Sequence, residues 1–114
     1  RQVQIATDHA KGATARLSGR DNPRYEDNEA TFDELQARIA KTIAFVASVP
    51  KEEIDGSEEK EVTIMSGGKE RKLDGQRYLL GNALPNFFFH VTTAYDILRH
   101  NGVEVGKRDF LGEY

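Results

Sequence analysis

The sequence predicts an all-α protein, a helical bundle with one small β-hairpin inserted before the last helix. Two observations predict this fold class. Three segments repeat apolar residues every three or four positions, and a Gly-Gly pair lies between two short segments that alternate apolar and polar residues. A length of 114 residues has room for one domain. We therefore expect residues 1–114 to form a single domain.

The first helix is predicted from one stripe of apolar side chains. Its members share a spacing of three or four residues, and they are Val3, Ala6, Ala10, Ala13 and Leu17. Gly19 is typical of a helix end in the left-handed conformation. Residues 20–30 are polar and contain one proline, so we expect a surface connection there.

A second helix is predicted over residues 32–48. Thr31 and Glu34 match a capping box, and Pro50 ends the segment. Its single apolar stripe contains Phe32, Leu35, Ile39, Ile43 and Val46. Residues 51–60 are acidic, which favours a solvated linker over an acidic recognition element.

The hairpin is predicted around Gly67 and Gly68, which suit a two-residue turn with positive φ. The turn sets Val62 opposite Leu73 on one face of the hairpin. Two strands are too few for a sheet core, so we expect the hairpin to cover one edge of the bundle.

The last helix is predicted from Asp74 or Gly75 to His100, with a kink or break near residues 81–84 caused by Pro85. We expect it to bury its apolar residues, namely Leu79, Leu80, Ala83, Leu84, Phe87, Val91, Ala94, Ile97 and Leu98. Residues 106–114 are predicted to form an extended tail over the domain. Helical bundles usually close with four helices, so we expect a further helix that precedes Arg1 or is donated by a second copy in a homodimer.

The composition disfavours several functional classes. The net charge is -3, which gives no global attraction to nucleic acid or to anionic membranes. The absence of cysteine excludes disulfides, iron–sulfur clusters and thiol nucleophiles, and agrees with a reducing compartment such as the cytoplasm. No apolar segment is long enough to span a membrane.

Three residues could share a small-molecule or metal site. Asn86 and His90 are one turn apart on the last helix, and His9 lies at the edge of the buried face of the first helix. Imidazole suits zinc, nickel or iron(II), whereas an amide oxygen suits manganese or calcium. On residue types alone, hydrogen-bonded histidines in a core or groove are the commoner arrangement. His100 is about 15 Å from His90 along the helix and cannot join them.

Two aromatic features have both a structural and a functional interpretation. Tyr95 could donate a hydrogen bond to a bound ligand, although a purely structural role at the edge of the core is more common for tyrosine. The run Phe87-Phe88-Phe89 covers most of the helix circumference, and packing explains it better than a cofactor site.

Two segments resemble the DinB/YfiT-like four-helix bundles: NFFFHVTTAYDILRHNGVEV in the last helix, and TDHAKGATARLSG in the first. The strings QIATDHAKGA and ALPNFFFHVTTAYDILRHNGVEVGKRDFLG are most similar to an uncharacterised bacterial and fungal family of that superfamily. The resemblance implies a four-helix bundle whose first helix is absent from this sequence. It also implies a common dimer, with a divalent metal held by three histidines in many members.

Carried over by position, His9 and His90 match two of these three ligands, and Asn86 stands where the third histidine is found. Relatives transfer low-molecular-weight thiols or act as metal-dependent hydrolases. Two hypotheses follow from the residues and the resemblance. The chain is either a metal-dependent enzyme acting on a small molecule, or a metal-free dimeric bundle with a structural or ligand-binding role.

Overall fold

Three helices of 17 residues each dominate the structure. The computed structural model describes residues 1–114. In chain order the elements are α1 (Gln2–Ser18), α2 (Phe32–Ser48), α3 (Lys51–Ile54), β1 (Glu61–Ser66), β2 (Lys69–Asp74), α4 (Gly75–Tyr78), a π-helical segment (Leu79–Ala83), α5 (Leu84–His100) and α6 (Lys107–Leu111). Helix α1 packs against both α2 and α5. The mostly helical fold with one hairpin is confirmed, and these 114 residues supply three long helices rather than four.

The helix ends follow the local sequence signals. Gly19 ends α1 with a φ of 79°, which is the left-handed conformation that glycine adopts without steric cost. Thr31 begins α2, and its hydroxyl accepts a hydrogen bond from the Glu34 backbone N–H at 3.1 Å. The Glu34 carboxylate accepts from the backbone N–H of Ala30 at 2.7 Å instead of completing the box on Thr31. Both predicted helix boundaries are therefore confirmed.

The hairpin has the predicted register, with Val62 opposite Leu73 and positive φ angles at Gly67 and Gly68. Its role in the core is larger than expected. Val62 and Ile64 are buried and belong to the main hydrophobic cluster, together with Leu17, Tyr78 and Ala83. The core thus lies where the hairpin meets α1 and the π-helical segment, and the hairpin does more than cover an edge.

The predicted break before Pro85 takes the form of a π-helical segment. At its end the Leu84 N–H bonds to the Leu79 carbonyl, five residues back. Proline has no N–H, so the regular helical ladder cannot continue through residue 85, and Pro85 instead lies in the first turn of α5. A π-bulge at a proline is a common way to keep two helical segments continuous.

The predicted burial of the apolar residues of the last helix is wrong for most of them, although Ala83 is buried. Helix α5 has no fully buried residue, and Leu80 in the segment before it is 57% exposed. Helix α2 buries only Arg38 and Thr42, whereas Ile43 on its apolar stripe is 62% exposed. The stripes instead line an apolar groove of about 650 Å³ between α1, α2 and α5, whose larger side chains are Val3, Ile39, Ile43, Val46, Phe87, Val91, Leu98 and Phe110.

Two other segments differ from expectation. The acidic residues 51–60 are not only a solvated linker, since α3 lies there and its Ile54 packs against the core. The predicted extended tail is also wrong, because α6 forms within it. Phe110 of α6 packs edge-on against Tyr95, with ring centroids 5.8 Å apart, so burial of this aromatic pair accounts for the ordered end.

None of the helices combines the length and the apolar character that a membrane crossing requires.

Candidate functional site

Helices α1 and α5 bring His9 and His90 together. The ring centroids are 5.8 Å apart and the ring planes are nearly parallel, with an interplanar angle of 10°. Both residues are half-buried. The two histidines that the sequence analysis selected are therefore neighbours, although they come from opposite ends of the chain.

The His90 ring is oriented by two neighbours. Its Nδ1 lies 2.5 Å from the side-chain oxygen of Gln2, and the ring of Phe89 meets it edge-on at 5.1 Å. Since Gln2 presents a carbonyl oxygen, His90 donates from Nδ1, and its Nε2 keeps a free lone pair. This is the tautomer that a ligand or metal ion at Nε2 requires.

His9 is held in its neutral form. Burial lowers its pKa from the ordinary value of 6.5, and electrostatic repulsion from the protonated form of His90 and from Arg16 lowers it further, while Asp8 opposes them. A pKa below 6.5 leaves the imidazole uncharged at neutral pH. His9 can therefore bind a metal or accept a proton.

Asn86 lies one turn before His90 and lines the same cavity as His9. Its side-chain nitrogen donates to the Asn82 carbonyl at 2.8 Å, so its amide oxygen remains available. The cavity has a volume of about 560 Å³, and polar and apolar groups line it about equally. It is enclosed by α1, the hairpin, the segment of Tyr78 to Ala83 and the start of α5.

Arg16 belongs to this cavity and was missed by the sequence analysis. Its Nη1 donates to the hydroxyl of Tyr78 at 3.1 Å, and its guanidinium lies 5.8 Å from the centre of that ring. The signal was present in the sequence, since Arg16 follows His9 by seven residues, two turns along the same face of α1. The sequence alone does not show whether an arginine on a helix surface has a function, because that depends on the residues around it in the fold.

Tyr95, the remaining candidate, is not brought to the cavity. Tyr95 lines the apolar groove, and its hydroxyl accepts a hydrogen bond from Arg99 at 3.1 Å. His100 is exposed at the end of α5. Tyr95 therefore does not face His9 as a donor in this arrangement.

The spacing of the two imidazoles is compatible with one shared ion. A metal on a ring nitrogen lies about 3 Å from the ring centroid, so two rings that share an ion have centroids within about 6 Å of each other. The observed 5.8 Å is within this limit, but the rings are stacked with nearly parallel planes, and an ion bound in the plane of one stacked ring lies outside the plane of the other. The third donor is weak, because no group of three or more histidine, aspartate or glutamate side chains is arranged to hold a metal ion. Two imidazoles and one amide oxygen are thus the donors that a divalent metal ion would find here.

The fold is DinB-like by its similarity to a solved structure. A crystal structure of a DinB family member from Shewanella denitrificans matches the whole chain with a TM-score of 0.87 and 42% identity. The chain belongs to the DUF1993 family, described as a domain of unknown function, whose model matches residues 1–111. The chain spans 65% of the length of the solved Shewanella protein. No functionally curated protein matches it.

Proposed function

We propose that this protein is a DinB-like enzyme acting on a small molecule, in which His9, His90 and Asn86 hold a divalent metal ion beside the cavity. The observation that carries the proposal is the pairing of two imidazoles at 5.8 Å from α1 and α5. A bound ion would polarise a substrate or lower the pKa of a bound water or thiol. Thiol transfer and hydrolysis are the two reaction types that this chemistry serves.

The donor set supports a metal that prefers nitrogen ligands. His9 is neutral, and His90 keeps its Nε2 lone pair because Gln2 occupies Nδ1. Zinc, nickel and iron(II) suit two imidazoles, whereas manganese is favoured only by the amide oxygen of Asn86. We expect an exchangeable ion, because one amide replaces what would be a third strong donor.

Metal binding should depend on these three side chains in a graded way. His9→Ala and His90→Ala are each expected to abolish binding of zinc or nickel in calorimetric titrations. Asn86→His is expected to tighten binding by about tenfold or more, because imidazole is the stronger ligand. His100→Ala is the matched control, since His100 is an exposed histidine on the same helix as His90. Equal binding by the wild type and both alanine variants would show that the ion lies elsewhere.

A second candidate function is a metal-free ligand-binding bundle. The positive charge of Arg16 favours it, because this charge acts on His9 and opposes a divalent cation there. In that case the wild type binds no metal above background, and His90→Leu leaves the fold intact. Elemental analysis of protein purified without chelators separates the two candidates.

We also propose that a further helix of the full-length polypeptide covers the apolar groove between α1, α2 and α5. The groove is lined almost entirely by apolar side chains, and Ile43 in it is 62% exposed. An apolar surface of this extent is usually covered. The solved relative has additional chain length beyond the part matched here, which supplies a natural occupant.

Ile43→Glu tests the covered groove in the full-length protein. If a helix covers Ile43, the buried charge should destabilise the fold by about 3 kcal/mol. Phe89→Glu is the control, since Phe89 is 64% exposed and lies outside the groove. Urea unfolding provides the comparison. Equal, small losses of stability in both variants would contradict the proposal. If the wild type is a dimer and Ile43→Glu converts it to a monomer, the occupant of the groove is a second copy of the chain.

A further inference from the structure

Arg16 lacks the acidic partner that the other enclosed cations have. Three basic side chains of the chain are not exposed: Lys11, Arg16 and Arg38. Lys11 pairs with Asp8, and Arg38 is surrounded by carboxylates. Arg16 forms no ion pair, and its one hydrogen bond is to a neutral phenol. A half-buried guanidinium without a carboxylate partner keeps N–H donors that a ligand in the cavity can accept from.

Two neighbours hold Arg16 in position. Its side chain lies across Gly12, where a Cβ atom would overlap Nη1 and the guanidinium would have to shift. Tyr78 is 1% exposed, and its hydroxyl accepts from Arg16. The phenol proton of Tyr78 remains to be donated. Arg16 and Tyr78 therefore present positive charge and hydrogen-bond donors from a fixed position.

The rest of the cavity suits a small polar molecule. Hydroxyl and amide groups line it, from Thr63, Ser66, Asn82 and Asn86. Glu70 of β2 also lines it, but this side chain is exposed and makes no ion pair with Arg16. The volume of about 560 Å³ lies within the range of small-molecule sites.

We propose that Arg16 and Tyr78 form an anion subsite that binds the carboxylate or phosphate group of the substrate and places the rest of the molecule against His9. A guanidinium recognises both groups through paired N–H donors, so the two share one chemistry. The inference deepens the proposed function, because it assigns an acidic small molecule as substrate to the same cavity. It does not depend on a bound metal.

Titration of metal-free protein with simple anions tests the subsite. Chelator-treated, ¹⁵N-labelled protein is titrated with sodium acetate and, separately, with inorganic phosphate, at ionic strength held constant with sodium chloride. We expect saturable shifts of the side-chain amide signals of Asn82 and Asn86 with at least one anion. The anion that binds more tightly identifies the substrate group as a carboxylate or a phosphate.

Variants establish which residue binds the anion. Arg16→Gln should lower the affinity for the more tightly bound anion by about tenfold or more, and Tyr78→Phe should lower it by a smaller factor. Arg24→Gln is the matched control, because it removes one positive charge from an exposed arginine outside the cavity. If Arg16→Gln does not fold, Arg16→Lys replaces it as the test variant. It keeps the positive charge, and we expect its affinity for the anion to fall severalfold.

Two results would overturn the inference. One is the absence of saturable shifts with both anions in the wild type. The other is equal affinity in the wild type and in Arg16→Gln or Arg16→Lys. Since no metal is present, failure of metal binding by His9 and His90 leaves this result unaffected, and failure of anion binding leaves the metal titrations unaffected.

Discussion

Replacing Arg38 with methionine is expected to destabilise the fold by about 3 kcal/mol, the usual effect of removing one partner from a buried ionic network. Arg38 is 2% exposed, which makes it the largest charged side chain in the interior. Its Nη2 donates to Asp8 at 2.8 Å, and its Nη1 reaches Glu29 and Asp27, each at 3.1 Å. Methionine fills the volume but leaves these carboxylates without their shared cation.

The same network holds residues 20–30 against α1 and α2. The ring of Tyr25 in this connection lies beneath three cations, with Lys41 Nζ at 3.8 Å, Lys11 Nζ at 4.8 Å and the Arg38 guanidinium at 5.5 Å from its centroid. Lys11 also donates to the Pro23 carbonyl at 2.6 Å. Loss of Arg38 should therefore loosen the whole connection as well as lower the free energy of unfolding.

Urea unfolding at neutral pH measures the effect, with Arg20→Met as the control. Arg20 pairs with Glu53 at 2.7 Å on the surface, and loss of an exposed pair has little effect on stability. Proteolysis within residues 20–30 provides a second measurement, since a loosened connection is cleaved faster. Indistinguishable unfolding of the Arg38 and Arg20 variants would show that the network does not stabilise the fold.

Acid unfolding should respond to the same change. The pKa of Glu29 is lowered from 4.5 to about 2, first by the hydrogen bond from Gln4, then by a backbone hydrogen bond, and after these by Arg38, although burial raises it. A folded-state pKa below the unfolded value means that this carboxylate stabilises the fold above pH 4.5, and that the contribution is lost as the pH falls toward 2. Without Arg38 the pKa should rise toward 4.5, so unfolding should begin at a higher pH.

Gly75→Ala is expected to cost about 2 kcal/mol, through overpacking at the junction between the hairpin and α4. A Cβ atom on Gly75 would overlap the backbone carbonyl oxygen of Ser57 and lie 3.3 Å from the Leu17 side chain. The Gln76 N–H donates to the Glu58 carbonyl at 2.9 Å, which holds the two backbones close together. The backbone at Ser57 would have to move, and that hydrogen bond would weaken.

Gly81→Ala is the matched control for this substitution. Gly81 lies in the π-helical segment, and a Cβ atom there would meet nothing within 4 Å. Alanine in a helix is favoured over glycine by roughly 0.5 to 1 kcal/mol, so this variant should be neutral or slightly stabilised in thermal unfolding. A Gly75→Ala protein as stable as the wild type would mean that residues 57–60 do not pack closely against α4.

Much of the candidate site was accessible from sequence. The spacing along the last helix predicts that Asn86 and His90 lie one turn apart, with His9 at the edge of the buried face of α1. In the structure His9 and Asn86 line one cavity, and His90 stacks against His9. Arg16 was not accessible, because its significance lies in the missing carboxylate partner and in the approach of Tyr78 from a distant segment. Tyr95 was placed near the site by proximity along the helix, yet it lies on the groove side of α5.

Local interactions along the chain were sufficient to predict the Gly19 and Thr31 helix ends, the Val62 to Leu73 register and the break before Pro85, because each depends on residues only a few positions apart. Burial was not predictable in this way. Periodicity indicates which residues share a face, but the packing of α1 against α2 and α5 decided that Arg38 is enclosed while Ile43 is exposed. Enclosure depends on distances between segments that are remote in sequence, and those distances exist only in the folded molecule.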